Sequence, residues 1–180
     1  MKMNDERIRD IEEYVSKRFE EADLNFCGFV WYFKEHIEPV KKIAERLAVK
    51  YGADLTAVRL AALLHDMGLI GEGPDGHEKR STQIAEAVLR EKGFDEQTIS
   101  RVKSCILHDR STIEGKVLDA ADALSHFRPQ FLFYRAKLSR SYEEFKKYVL
   151  EKLERDERRI EFPEERKYAE SRFGMIKKLL

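Results

Sequence analysis

The dipeptide His65-Asp66 constrains this chain more than any other feature. It stands in Ala61-Ala62-Leu63-Leu64-His65-Asp66-Met67-Gly68, a run whose small and aliphatic residues otherwise announce a buried helix. An ionised carboxylate in an apolar interior is costly unless it is paired or bound to a metal. A cation shared by the two side chains is the simplest reason to keep them there. The rest of the chain then has to supply the remaining ligands.

A chain of 180 residues is most simply one domain, spanning 1–180, and is long enough to bury about 70% of its unfolded surface. Lys and Arg together number 34, as do Asp and Glu. The zero net charge argues against an extended nucleic-acid surface and against a membrane partner. Abundant Glu, Lys and Arg resemble thermophile usage, although long solvated helices explain the same composition. Cys27 and Cys105 form no CxxC pair, which fits a reducing cytoplasm. The segment Met1 to Asp10 is too charged for a secretory leader, and no apolar run approaches the about 20 residues of a membrane span.

Periodicity predicts an all-α chain. A first helix is expected over about 5–22, capped by Asn4 or Asp5, with Ile8, Ile11, Val15 and Phe19 on one face. A second covers about 26–51 and stops at Gly52, with Pro39 expected to break or kink it just after His36. Asp54 caps a third, about 55–67, that stops at Gly68; Gly71 to Gly76 is a loop. Further helices follow at about 77–92, 95–108 (capped by Asp95) and 113–126. Pro129 interrupts. The segment 130–180 reads as two or three strongly charged helices with a break near Phe162-Pro163, and no segment carries a strand signal of any strength.

The five histidines are not scattered. His36 aligns with Val40, Ile43 and Leu47, and His77 with Ser81, Ile84 and Val88, so each points to an apolar face. His108 closes the helix that holds Ile99, Val102, Cys105 and Ile106. Asp119, Asp122 and His126 share one stripe of a single helix. Taken singly, a histidine on an apolar face is more often a hydrogen-bonded core residue than a ligand, Asp119 is equally well a solvated position, and His126 equally well a cation at a helix C-terminus. Together they would each need a private buried partner. Helical bundles instead build metal sites from facing helices.

The order His36, then His65-Asp66, then Asp122 within Leu118-Asp119-Ala120-Ala121-Asp122-Ala123-Leu124 resembles the HD-domain metal-dependent phosphohydrolases. The flanks agree: Val40, Ala44 and Leu47-Ala48 after His36, and Ala61 to Gly68 around the central dipeptide. The resemblance covers about residues 30–126. It implies a compact multi-helix bundle of the HD-domain type, with a motif core of about 26–126. The N-terminal helix 5–22 and the charged C-terminal helices 130–180 are accessory. It further implies that His36, His65, Asp66 and Asp122 hold one divalent cation. Some members bind a second metal through two further histidines, and His77 and His108 stand at the matching places; the alternative is that they contact substrate. Asp119 is assigned to a contact with the metal's ligands or with substrate, and His126 to a place beside those ligands.

Mixed imidazole and carboxylate ligands suit Mn, Fe, Co, Ni or Zn, with Mg a further option, one or two ions per chain. The expected function is hydrolysis of a phosphomonoester or phosphodiester of a nucleotide or other small phosphorylated molecule by a metal-activated water. His65 and Asp66 are the catalytic pair, Asp66 orienting or deprotonating that water. Arg80, Arg110 and Arg128, with Lys79, are the candidate phosphate contacts. Two other readings stay open: a di-iron HD-type oxygenase using His77 and His108, and a non-catalytic metal- or nucleotide-binding module. The loop Gly73 to Gly76 is a lid or a plain connector. The clusters Phe26, Phe29, Trp31, Tyr32, Phe33 and Phe127, Phe131, Phe133, Tyr134 are core or stack on a nucleobase. The C-terminal helices cover the bundle or pair two copies as a homodimer.

Overall fold

The computed structural model describes residues 2–22 and 31–180. Phe26, Cys27, Phe29 and the expected start of the second helix at 26 lie outside the described residues. Among those described there are nine α-helices and no strand. None of the helices is long and apolar enough to cross a membrane.

The hub is α3 (Leu55–Leu64), apolar except at Thr56 and the ion-paired Arg59, with all of Ala57, Val58 and Leu60 to Leu64 at zero exposure. A helix hydrophobic over most of its surface must be surrounded. It is, by α1 (Lys2–Glu21), α2 (Glu38–Tyr51), α5 (Glu96–Ile106) and α6 (Ile113–Ser125). Asp54 caps α3 as expected, its side chain accepting from Ala57 N at 3.0 Å. The face Ile8, Ile11, Val15 and Phe19 of α1 is buried as the spacing predicts. The helix starts at Lys2, however, so neither Asn4 nor Asp5 is its cap. On the other side α8 (Tyr142–Arg159) packs on α6 with Val149, Leu153 and, just beyond its end, Ile160, while α9 (Pro163–Leu179) adds Ala169, Phe173 and Ile176. The short α7 (Pro129–Leu138) leans on α8.

The regular helix is interrupted just after His36, as expected, although the chain stays helical through Pro39. Pro39 sits in the first turn of α2, and the chain enters through a wide π-helical turn, Phe33–Ile37, that carries His36. Proline has no N–H to offer the carbonyl of Glu35 one turn back. Arg128 Nη1 donates to that carbonyl instead, at 3.1 Å. The third helix is shorter than predicted: it ends at Leu64, and His65 and Asp66 lie in the turn that follows, before a 3₁₀ turn over Met67–Leu69.

Two glycines explain how the loops close on this hub. A Cβ on Gly68 would fall 2.3 Å from His77 O and 2.7 Å from Ser81 N, so only glycine lets the start of α4 (His77–Glu91) settle on the 3₁₀ turn. Its N–H donates to Ser81 Oγ at 2.9 Å. A Cβ on Gly115 would fall 2.0 Å from Asp109 O, so the loop between α5 and α6 can lie flat on α6. The first contact brings His77 beside Asp66, and the second brings His108 and Arg110 beside Asp119.

Candidate metal centre

Four segments distant in sequence converge: the π turn (His36), the end of α3 (His65 and Asp66), the start of α4 (His77) and the last turns of α6 (Asp122). His36 Nε2 lies 3.1 Å from Asp66 Oδ2 and 3.5 Å from Asp122 Oδ1. His65 Nε2 lies 3.3 Å and 3.9 Å from the same two atoms. His77 Nε2 faces the other oxygen of Asp66 at 3.3 Å. Tyr32 OH donates to Asp66 Oδ2 at 2.7 Å, so one aromatic of the first cluster serves the site. Phe33 beside it is core.

Each imidazole is oriented by a partner on its other nitrogen. His65 Nδ1 lies 2.9 Å from Ala62 O, a carbonyl that can only accept, so Nδ1 carries the proton. His77 Nδ1 does the same to Pro74 O at 2.8 Å. Ser125 Oγ gives its single hydrogen to Asp122 O at 2.7 Å. It therefore accepts from His36 Nδ1, 3.2 Å away. A neutral ring so held presents the lone pair of Nε2 to a carboxylate oxygen, acceptor facing acceptor. His65 Nε2 is buried with no hydrogen-bond partner at all. Such an arrangement is stable only with positive charge between the atoms, supplied by a proton or a metal ion.

The titration directions say the same. Burial pushes the Asp66 carboxyl up, but His65, His36 and His77 outweigh it and hold it well below the usual range. Asp122 is likewise held well below, burial being overcome by His126, Arg159 and His36. Burial works against charge on His65, yet Asp66 and Asp122 raise it to about 9. His77 is raised too, Asp66 outweighing its burial. The donor set therefore fits a divalent cation. Two groups of three donors among the described residues have ligand atoms close enough to share one: His36, His65, Asp66 and His36, Asp122, His126. Both contain His36, so they describe a single centre. His77 and His108 belong to neither group.

Around that centre a cavity of about 620 Å³ opens between α6, α7 and α8. Arg110 lines it, paired with Asp119 Oδ2 at 2.7 Å. Arg80 and Arg128 do not line it. The Arg80 guanidinium is held by the carbonyls of Gly68, Gly73 and Asp75, which makes it a tie for the loop before α4. The loop Gly73 to Gly76 is pinned by that tie and by the bond from His77 Nδ1 to Pro74 O, which favours the connector reading over a lid. Arg128 is held by Glu35, through the carbonyl and the carboxylate. His108 lies two residues beyond the end of α5, not in it, with the left-handed φ of 56°. Its Nδ1 faces Asp119 Oδ1 at 3.2 Å.

Sequence reasoning missed the contribution of α8. Arg159 Nη2 donates to Asp122 Oδ2 at 3.0 Å, its Nε to Asp119 Oδ1 at 2.8 Å, and its Nη1 to Asp156 Oδ1 at 3.0 Å. Lys152 Nζ donates to both oxygens of Asp156, at 2.7 and 2.8 Å, and lies 3.3 Å from His126 Nδ1. Burial and Lys152 lower the His126 pKa, favouring the neutral ring. A signal did exist. Asp156 falls on the apolar stripe Val149, Leu153, Ile160, where a solvated carboxylate does not belong. In the second aromatic cluster Phe127 is core, Phe133 points to solvent, and Phe131 and Tyr134 line the cavity.

A family model described as HD domain matches residues 33–126 of the chain. The structure of YpgQ from Bacillus subtilis in complex with ADP is 25% identical, over 98% of this chain and 93% of that one, with a TM-score of 0.72. An HD-superfamily hydrolase from Bacillus thuringiensis is 20% identical over 98% and 94%, TM-score 0.73. A predicted HD-superfamily hydrolase from an uncultured Thermotogales bacterium is 22% identical over 95% and 87%, TM-score 0.66. No curated protein matches the chain.

Proposed function

The chain belongs to the HD domain family, and on that footing we propose that it is a metal-dependent phosphohydrolase acting on a nucleotide or another small phosphorylated molecule. One observation carries the reading. Two imidazoles, His36 and His65, engage Nδ1 elsewhere and aim Nε2 at Asp66 and Asp122, at distances of 3.1 to 3.9 Å that suit donors round one shared cation. His36, His65, Asp66 and Asp122 would hold that ion, with His126 beside them on the Asp122 side. When bound, a divalent cation such as Mn, Fe, Co, Ni or Zn supplies Lewis acidity to a phosphoryl oxygen and lowers the pKa of adjacent water.

The residues of the chain do the rest. Tyr32 fixes Asp66 through Oδ2, so Oδ1 is the oxygen that orients the attacking water and receives its proton, beside His77 Nε2 at 3.3 Å. Arg110, 42% exposed along its side chain, can turn from Asp119 towards charge developing on a phosphoryl group. The cavity is of the size that takes a small organic phosphate. The ADP held by Bacillus subtilis YpgQ, which shares this fold, supports a nucleotide in that role.

The test joins elemental analysis of the purified protein with a phosphoester panel that includes nucleoside mono-, di- and triphosphates and cyclic diesters. A transition metal near one per chain, turnover abolished by EDTA and restored by Mn or Co, is the expected result. A metal-loaded protein that cleaves nothing on the panel overturns the reading.

A further inference from the structure

The outward face of α9 carries the pattern of a helix-packing seam. Glu164, Tyr168, Ser171, Met175 and Lys178 are all exposed and recur at alternating steps of four and three residues. That is the repeat by which two helices pack along their length. The opposite face, with Ala169, Phe173 and Ile176, is already buried in the bundle. Of the eight large apolar side chains left exposed among the described residues, three are on α9: Tyr168, Met175 and Leu179. A fourth, Tyr142, donates through its hydroxyl to Leu180 O just past the helix end. Gly174 stands beside Ser171 and Met175 on the same face, and a Cβ there would meet nothing within 4 Å. Glycine is a poor residue for the interior of a helix. Gly68 and Gly115 each admit a neighbouring segment, whereas Gly174 admits nothing from its own chain.

The seam is complementary to itself. Glu164 lies seven residues before Ser171 and Lys178 seven after it; Tyr168 lies three before and Gly174 three after. Where two copies of α9 cross antiparallel at Ser171, each Glu164 meets Lys178 of the other copy, and each Tyr168 stands over the notch at Gly174. A parallel pairing would oppose like charges at both ends, which is disfavoured. We propose that this face binds a second copy of the chain, giving a twofold-symmetric dimer through α9. A seam of one helix buries less than the about 800 Å² per partner of a standard interface, which places the expected dissociation constant in the micromolar range. None of α9 lines the cavity, and all of it lies beyond the stretch matched by the family model, so the inference stands apart from the phosphohydrolase reading.

The test is analytical ultracentrifugation of the full chain across roughly 1 to 200 µM, a range that brackets a micromolar dissociation constant. The mass is expected to rise from that of one 21.2 kDa chain towards that of two. Gly174→Leu fills the notch while raising helix propensity, so it is expected to weaken association about tenfold or more with no loss of thermal stability. Lys178→Glu sets like charges together and is expected to weaken association about fivefold; adding Glu164→Lys to the same chain is expected to restore it. A chain that stays monomeric throughout overturns the inference and leaves the seam to a different protein. So does a dimer that Gly174→Leu leaves intact, or one weakened by Lys178→Glu that the added Glu164→Lys fails to restore.

Discussion

Asp119 and Asp122 stand one turn apart on α6, both buried, in opposite surroundings. Asp119 faces Arg110 on one oxygen and Arg159 and His108 on the other, so permanent cations already satisfy its charge. Asp122 gives one oxygen to Arg159 and turns the other to His36, His65 and His126, at 3.5, 3.9 and 3.9 Å. The difference separates structural charge from functional charge. A carboxylate matched by guanidinium or ammonium groups holds helices together. One matched by imidazoles keeps a place for an exchangeable cation. The region around Asp119, Asp156, Arg159 and Lys152 is of the first kind, and the region around His36, His65, Asp66 and Asp122 is of the second.

That contrast breaks most visibly at Asp66. Asp66→Asn is expected to abolish both metal retention and hydrolysis while the helical circular-dichroism spectrum stays unchanged. Wild-type turnover in this variant would show that the imidazole side is not the working centre. Arg159→Leu carries the next largest effect. It removes the cation that Asp119, Asp122 and Asp156 share, leaving Arg110 on Asp119 and Lys152 on Asp156 but no permanent cation on Asp122, and removing one partner of a buried ion pair costs about 3–5 kcal/mol. Urea denaturation of the metal-free protein measures it. Asp122→Asn should cost well under half of that, because Arg159 keeps Asp119 and Asp156; equal losses would erase the distinction.

Metal itself should sharpen the comparison. At a hundredfold excess over its dissociation constant, Mn is expected to add about 2.7 kcal/mol to stability. The rise should vanish in Asp122→Asn and persist in Asp119→Asn, as read by thermal melting with and without EDTA. The smallest effect lies away from the cavity, at Glu165. Burial would raise this carboxyl, but Arg46 and Lys50 outweigh it and lower its pKa below 4.5. A folded-state pKa lowered in this way contributes stability above about 4.5 that is lost as pH falls below it. Glu165→Gln should flatten the acid limb of a stability profile taken between about pH 6 and 3, and an unchanged slope would remove Glu165 from the account.

Much of the architecture is readable from periodicity and caps. The stripe Ile8, Ile11, Val15, Phe19, the Asp54 and Asp95 caps and the stops at Gly52 and Gly93 all reflect short-range sterics and hydrogen bonding, which depend on neighbours in sequence. The misreadings share a cause. The third helix was expected to run through His65-Asp66, but the close approach of α4 to Gly68 takes the chain out of the helix at Leu64. His108 was expected to close α5, but the approach of Asp109 to Gly115 fixes a left-handed turn there. Arg80 and Arg128, candidates for phosphate, are held here by carbonyls and by Glu35. Each depends on a contact between two separate elements or a loop and a helix, at separations from five residues to more than ninety, which helical periodicity does not encode.

What the amino-acid order determined is therefore which residues face inward and that imidazoles and carboxylates are among them, because helical repeat alone sorts side chains onto faces. Only the packed molecule decided which cations those carboxylates meet. With 34 basic residues available, nothing local singles out Arg159 on α8. The partner that orients the Nδ1 of His36, His65 and His77 was settled there too. A tautomer is set by the carbonyl or hydroxyl that packing brings to the opposite nitrogen, and that partner comes as near as Ala62 O or as far along the chain as Ser125 Oγ.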